Sequence, residues 1–433
     1  MFIGRKEELK KLENAYLSEH NNLLMIYGRE GVGKTALVLN FCENRRFFYY
    51  NAIETTPAMQ LEMFRKVAEN VDGTHVTDKK ILVIDSFRYF LCDETKKYIS
   101  GLMQKQGNRI MIILISSSVN WVENSMVSEA KEISGMLTGI IKLKELSFRE
   151  TVEWFPKLSV DDCVIIRSVF GGIPGYLRLW QDNRKPRENI VSLVLSKDSP
   201  LAGEAEATLK LELRELAAYN AILLALASGK YKLNDIFSAT GFSRAKISVY
   251  IKNLIAMDVV EKIVPANVRK YENTQKGLYR IKDSYLRFYY AYVLPNSALI
   301  EQGKGRTVYD DVILRDNARF MRETFADVAK EFLLIMSGKN RLKAKYGDFR
   351  VWIGKTGTLD VVAGAGDGSF LAAICFYDSE ETDIEHLKLF EELITKAGLR
   401  CREKFIFSRS GFTDRALKLA ELNDISVVSM ADL

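Results

Sequence analysis

Leu23-Leu24-Met25-Ile26-Tyr27-Gly28-Arg29-Glu30-Gly31-Val32-Gly33-Lys34-Thr35 decides the fold of this chain. Five apolar residues read as a buried strand, Gly28–Thr35 satisfies G-x-x-x-x-G-K-[ST], and Ala36–Cys42 continues as a helix. The glycines Gly28, Gly31 and Gly33, with Val32 between them, let backbone N–H groups curl round an anion at a helix N-terminus. Lys34 is placed to reach β- and γ-phosphates, and the Thr35 hydroxyl to ligate Mg²⁺. The pattern predicts a nucleoside triphosphate site, with ATP and Mg²⁺ as the expected ligands. Its second half is an acid at the end of another buried strand, and Ile81-Leu82-Val83-Ile84-Asp85 supplies one. Ser116 ends the run Ile110–Ile115 and has two readings, a contact to the γ-phosphate or attacking water, or a plain strand-end cap.

Outward from that stretch, short apolar runs alternate with amphipathic ones. Leu23–Tyr27, Phe47–Tyr50, Ile81–Ile84, Ile110–Ile115 and Ile140–Leu143 read as strands, with Met59–Ala68 and Glu94–Met103 among the helices between them. This alternation predicts a parallel α/β sheet covered on both faces. A helical region follows from about 147 to 196, broken by Gly171-Gly172-Ile173-Pro174-Gly175. At 433 residues the chain exceeds one core, and three domains are expected, at 1–210, 211–295 and 296–433. No apolar run approaches the ~20 residues that cross a bilayer. Met1-Phe2-Ile3-Gly4-Arg5 reaches charge too soon for a secretion signal, so a soluble, cytoplasmic protein without a membrane partner is expected. The five cysteines lack C-x-x-C spacing and the three histidines are dispersed, which argues against a disulfide frame or a zinc site.

The net charge of +6 is local. Leu211–Pro295 holds 13 Lys/Arg against 7 Asp/Glu, and the remainder balances. Within this segment Leu216–Ala227, Leu233–Ala239 and Arg244–Met257 read as helices, with Ser243 an N-cap, followed by strand-like Val259–Val264 and Leu278–Ile281. That order is the winged helix-turn-helix plan. Arg244, Lys246 and Lys252 on its third helix, with Arg269 and Lys270 in the wing, form the footprint expected for double-stranded DNA. A solvated basic face, a protein-binding module or an ATPase lid are the alternative readings. Tyr285, Phe288, Tyr289, Tyr290 and Tyr292 read as core packing rather than a base-stacking surface. Glu301–Tyr309 reads as a polar linker, then a helix Asp316–Met336 and a small α/β unit with strands at Phe349–Ile353, Leu359–Val362, Phe370–Phe376 and Lys404–Phe407.

With these motifs in order, the chain resembles the archaeal and prokaryotic AAA/STAND-type P-loop ATPases that carry a winged helix and a C-terminal PD-(D/E)xK nuclease-like domain of unknown function. The resemblance rests on Phe2–Leu9, Gly28–Thr35, Gly171–Leu177, Tyr279–Asp283 and Phe407–Phe412. It implies a 5-1-4-3-2 sheet, Gly4 and Arg5 beside the adenine, and Pro174 closing over the nucleotide. Two departures matter. The family follows its magnesium-binding Asp with a Glu that activates water, and here Ser86 stands there. A hydroxyl has no basicity at neutral pH, so assistance worth roughly 10²–10⁴-fold is missing and slow hydrolysis is expected. Glu54, after the second strand, is a candidate substitute or a solvated loop residue. In the nuclease-like part Asp360 is retained, but Ile374 and Phe376 stand where Glu and Lys belong, and Ala326 where a helix Glu belongs. One carboxylate among apolar neighbours does not hold a hard cation.

The leading expectation is an ATP-dependent switch that gates contact with DNA or a protein. An ATP-gated endonuclease in DNA processing or phage defence, and a non-catalytic assembly scaffold, are the alternatives. No arginine finger is assignable, and an oligomer stays open.

Overall fold

In the computed structural model the strands Asn22–Tyr27 and Ile110–Ser116 of the first sheet are buried along their whole length, because helices cover both faces. The structure describes residues 2–73, 79–105, 109–267 and 277–433. Strands β1 (Asn22–Tyr27), β2 (Phe47–Asn51), β3 (Lys80–Asp85), β4 (Ile110–Ser116) and β5 (Gly139–Lys142) are all parallel, in the order β2-β3-β4-β1-β5. Read from the other edge this is the expected 5-1-4-3-2. Alternate side chains of β1 enter different cores: Leu23, Met25 and Tyr27 one face, Leu24 and Ile26 the other. This period-2 division explains why the strand reads as an unbroken apolar run. Helices α1 (Lys6–Leu17), α2 (Lys34–Cys42), α3 (Pro57–Gly73) and α4 (Asp93–Gln104) supply the covering layers.

After β5 the chain becomes helical. Helix α5 (Phe148–Trp154) starts at a capping box in which Ser147 and Glu150 satisfy each other's backbone amides, and α6 (Val160–Phe170) is capped by Ser159. The middle part follows as α7 (Leu216–Ala227), α8 (Leu233–Thr240), α9 (Arg244–Ala256) and an antiparallel ribbon of β6 (Val260–Ile263) and β7 (Leu278–Ile281). Gly241 ends α8 in the left-handed region and Ser243 caps α9 through the Lys246 amide.

Beyond the ribbon lie α10 (Ser284–Phe288) and the long α11 (Leu314–Gly338). A second sheet follows, ordered β12-β11-β10-β9-β8, from β8 (Tyr346–Ile353), β9 (Thr358–Ala365), β10 (Phe370–Phe376), β11 (Cys401–Ser408) and β12 (Ile425–Ser429). Strands β8, β9 and β10 meander antiparallel, whereas β10, β11 and β12 are parallel through α12 (Ile384–Ala397) and α13 (Asp414–Leu422). The linker expected at Glu301–Tyr309 is instead helical, running through Ser297–Glu301, Gly305–Val308 and Tyr309–Ile313 into α11. Ile300, Val308 and Ile313 are buried there, and Gly305 lies so close to Leu195 that a Cβ would stand 1.9 Å from its carbonyl oxygen. Polar composition hid the buried Gly305 and Val308 within that stretch. Four of the five clustered aromatics are buried and Tyr289 is half-buried, in one core that runs from Leu146 to Met430.

Candidate nucleotide site

The carboxyl ends of β1, β3 and β4 bring the phosphate-loop residues together. Lys34 is 6% exposed, and its ammonium donates to the carbonyls of Gly28 (2.9 Å) and Arg29 (2.8 Å). Burial pulls its pKa down to about 8, against the pull of Asp85 and Glu30. Thr35 Oγ1 donates to Asp85 Oδ2 at 2.6 Å, so the loop and the β3 acid meet. The Tyr49 hydroxyl donates to the same oxygen at 2.9 Å, and the Ser86 amide to Oδ1 at 2.7 Å. Tyr49 lies on β2, two residues short of the Asn51–Asp85 register pair, and a long side chain spans that diagonal.

Ser116 pairs in register with Tyr27; its carbonyl accepts from Gly28 N–H at 3.3 Å, and its hydroxyl accepts from Ser118 N–H at 3.2 Å. The side chain thus forms a strand-end turn. Ser86 has φ 55°, in the left-handed region, and its hydroxyl donates to Asn51 Oδ1 at 3.2 Å. Glu54 is exposed in the loop after β2.

The Gly-Gly-Ile-Pro-Gly segment lies directly on the loop. Gly175 N–H donates to the Gly31 carbonyl at 2.9 Å, and Pro174 Cγ lies 3.9 Å from where a Gly33 Cβ would be. Gly31 itself has φ 77°, and a side chain there would strike Ile173 at 2.9 Å; the close approach needs glycine on both counts. Gly172 N–H donates to Glu145 at 2.7 Å. Burial works to raise the Glu145 carboxyl, but Arg167 and this amide outweigh it and hold it below the usual range.

Gly4 and Arg5 join the same place from the N-terminus. A Gly4 side chain would overlap Glu150, and the buried Arg5 guanidinium donates to the Val32 carbonyl at 3.0 Å. Burial lowers the Arg5 pKa, against Glu8 and Glu150. Arg5, Val32, Leu143, Ile173, Lys282 and Asp283 help line a cavity of about 540 Å³ beside the loop.

Sequence reasoning passed over Arg29, an unspecified position of the motif. Its guanidinium pairs with the fully buried carboxylate of Asp283, which also caps α10 through the Leu286 amide at 2.6 Å. Tyr49 and Asn51 were missed as well, because only the sheet register brings them to Asp85 and Ser86.

The other expected sites lie elsewhere. Arg244, Lys246 and Lys252 are exposed on α9. The Arg244 guanidinium donates to Asn234 at 3.1 Å and lies 5.3 Å from the Phe237 ring, and the Lys246 ammonium lies 4.6 Å from the Phe242 ring. Arg269 and Lys270 fall outside the described residues. The start of that loop leans on the edge of the second sheet, where Ala266 N–H donates to the Val351 carbonyl at 2.7 Å. Asp360 Oδ2 accepts from Arg322 of α11 and from Cys375 N–H, both at 2.8 Å. Burial nevertheless raises its pKa to about 6, against Arg322. Ile374 is buried, and the Phe376 ring stands edge-on to His386 with centroids 4.6 Å apart. Among the described residues no cluster of three or more His, Cys, Asp or Glu could hold a metal, and no helix is long and apolar enough to cross a membrane.

A parallel sheet in 5-1-4-3-2 order, with a glycine loop after its first strand and an acid hydrogen-bonded to the loop threonine, is the P-loop fold. Residues 2–115 match the model of an ATPase domain found predominantly in Archaea, and residues 289–387 match a family of archaeal and bacterial proteins of unknown function. Over residues 2–115 the chain is therefore similar to that archaeal ATPase domain. An uncharacterized protein of Methanocaldococcus jannaschii is 28% identical over 425 residues, 92% of each chain. Among solved structures, a Walker-type ATPase of Pyrococcus abyssi aligns with TM-score 0.47 at 16% identity, over 67% of this chain and 96% of that one. The ORC2 protein of Aeropyrum pernix, in its ADPNP and ADP complexes, aligns with TM-score 0.43 at 16% identity, over 69% and 94%.

Proposed function

We propose that this chain is a nucleotide-dependent switch: ATP with Mg²⁺ binds in the loop Gly28–Thr35, and its occupancy governs how the helices after β5 and the middle part pack. One observation carries the reading. The loop touches Asp85 on one side through Thr35 and the Gly-Gly-Ile-Pro-Gly segment on the other through Gly31 and Gly175. A ligand that reorders the loop therefore works against both. The donor set suits a hard cation, since Thr35 and Asp85 offer oxygens and phosphate and water complete the shell. In that role Mg²⁺ would neutralise charge on the phosphates. Lys34 would leave the two carbonyls for the phosphate oxygens.

Hydrolysis requires water to attack the γ-phosphorus, with ADP leaving. Ser86 and Asn51 can orient a water by hydrogen bonding, but neither accepts its proton at neutral pH. Slow turnover follows. The division at 1–210, 211–295 and 296–433 belongs to the same proposal, with 211–295 a winged helix whose α9 cations contact duplex DNA phosphates. A protein surface is the other partner that unit would accept. Arg322 on Asp360 speaks against a working endonuclease: a guanidinium occupies the carboxylate that a metal would need. The test is a thermal-shift titration with ATP and Mg²⁺, with and without duplex DNA. Binding at a hundredfold excess over Kd adds about 2.7 kcal/mol of apparent stability. The expected result is a clear shift in the intact protein and none in Lys34→Ala; an equal shift in both would remove the reading.

A further inference from the structure

The second residue of the phosphate loop does not face solvent. The Arg29 side chain is 16% exposed and pairs with Asp283, whose side chain is fully buried. Asp283 ends the ribbon: Lys282 N–H and Asp283 N–H both turn back to the Val259 carbonyl, at 2.9 and 3.4 Å. Its other oxygen caps α10, whose Tyr285, Leu286 and Phe288 enter the common core. One carboxylate thus joins three things, the phosphate loop, the end of the ribbon and the start of α10.

The neighbouring residue repeats the arrangement. The Lys282 ammonium donates to Asp258 at 3.1 Å, and Asp258 also pairs with Lys142 at the end of β5, at 2.6 Å. Asp258, directly after α9 and its cap residue Met257, holds φ 60°, a left-handed backbone that these contacts keep in place. Consecutive side chains at the ribbon's exit are therefore gripped from the carboxyl ends of β1 and β5.

The loop end of this link is held by the lysine that a phosphate would engage. Lys34 rests on the carbonyls of Gly28 and Arg29. An anion that draws the ammonium away strips Arg29 of a charge-assisted hydrogen bond while its side chain stays fixed to Asp283. Removing one partner of a buried ion pair is strongly destabilising, so the loop and the ribbon exit cannot relax independently.

We infer that Asp283 is a positioning residue for the phosphate loop: through Arg29 it sets the loop's conformation, and through its cap on α10 it transmits nucleotide occupancy to the ribbon and the helices beyond. This rests on the reading of Gly28–Thr35 as the ATP site and adds the route by which that site is regulated.

Amide hydrogen exchange in the intact chain tests it. Saturating ATP with Mg²⁺ should slow exchange both at 28–37 and at 284–293. Protection of the loop alone would overturn the link and leave ATP binding standing; protection of neither would sink both. Asp283→Asn separates the two functions of the side chain, because asparagine still accepts the cap hydrogen bond but carries no charge for Arg29. It should weaken ATP binding about fivefold or more, the lower range of coupling between linked sites, and abolish the nucleotide dependence at 284–293. Asp283→Glu should restore both, which a merely structural loss would not do. Arg29→Gln should reproduce Asp283→Asn from the other side. Wild-type affinity together with wild-type nucleotide-dependent exchange in Asp283→Asn would overturn the proposal.

Discussion

Lys34 is an ammonium buried among carbonyls, and that burial has a consequence for pH. Burial holds its pKa at about 8 in the free protein. Phosphate oxygens favour the charged form, so the pKa rises on binding and the complex takes up a proton above pH 8. The sign follows directly. ATP affinity should be flat below about pH 7 and fall as pH rises through 8, by up to roughly tenfold per unit until the bound-state pKa is reached. Isothermal titration between pH 6.5 and 9.5 checks this, and a flat profile would show that burial does not perturb the lysine. Ser86 is the second residue-scale test. Ser86→Glu places a base beside Asp85, and steady-state ATP turnover should rise at least tenfold, the low end of general-base assistance. The Asn51 carbonyl that now accepts from Ser86 would then meet a carboxylate, so Asn51→Ala in the same background separates orientation from basicity.

Two elements were read from composition, and their neighbours decide what they do. On α9 Arg244 and Lys246 sit over aromatic rings, which holds the charged heads at the surface without neutralising them. If they contact DNA phosphates, each of Lys246→Ala and Lys252→Ala should weaken duplex binding uniformly across sequences. Each should also lower the slope of log affinity against log salt by about 1. Anisotropy titrations at several salt concentrations measure this, and an unchanged slope would leave the basic face a solvated one. On β9, Asp360 holds Arg322 and the Cys375 amide. Asp360→Ala strands that buried N–H and should cost about 1–3 kcal/mol in chemical denaturation. It should leave plasmid DNA treated with Mg²⁺ as intact as the parent does. Greater cleavage by the parent would restore a catalytic role to Asp360.

At the scale of the whole molecule, the cores do not divide where the composition changes. The first sheet has its own two cores, whereas Leu146 to Met430 share a third that includes the helices after β5, the middle part, α11 and one face of the second sheet. Polar clasps reinforce that arrangement. Arg409 and Tyr377 both bond Asp161 near the start of α6, and Glu331 of α11 accepts the Phe148 and Arg149 amides at the start of α5. The Phe407–Phe412 signature thus serves as a clasp between distant parts of the chain, with Ser408 bonding the Gly411 carbonyl at 2.7 Å. Arg409→Ala leaves Tyr377 and Asp161 a single bond, and a melting temperature lowered by a few degrees is expected, on the usual cost of a lost charge-assisted hydrogen bond.

The amino-acid sequence by itself determined the strands of the first sheet, the glycine loop after the first of them, and the aspartate that ends β3. Each depends on local pattern: apolar runs that suit a two-sided sheet, glycines that suit a tight turn, and an acid where a buried run stops. Tertiary structure alone decided what crosses the chain. The Tyr49 contact to Asp85 needs the β2–β3 register, the Arg322 clasp needs α11 laid across β9, and Arg29 meets Asp283 across 254 positions. Such pairs have no period or spacing to betray them, because they are fixed by which faces pack together to bury apolar surface.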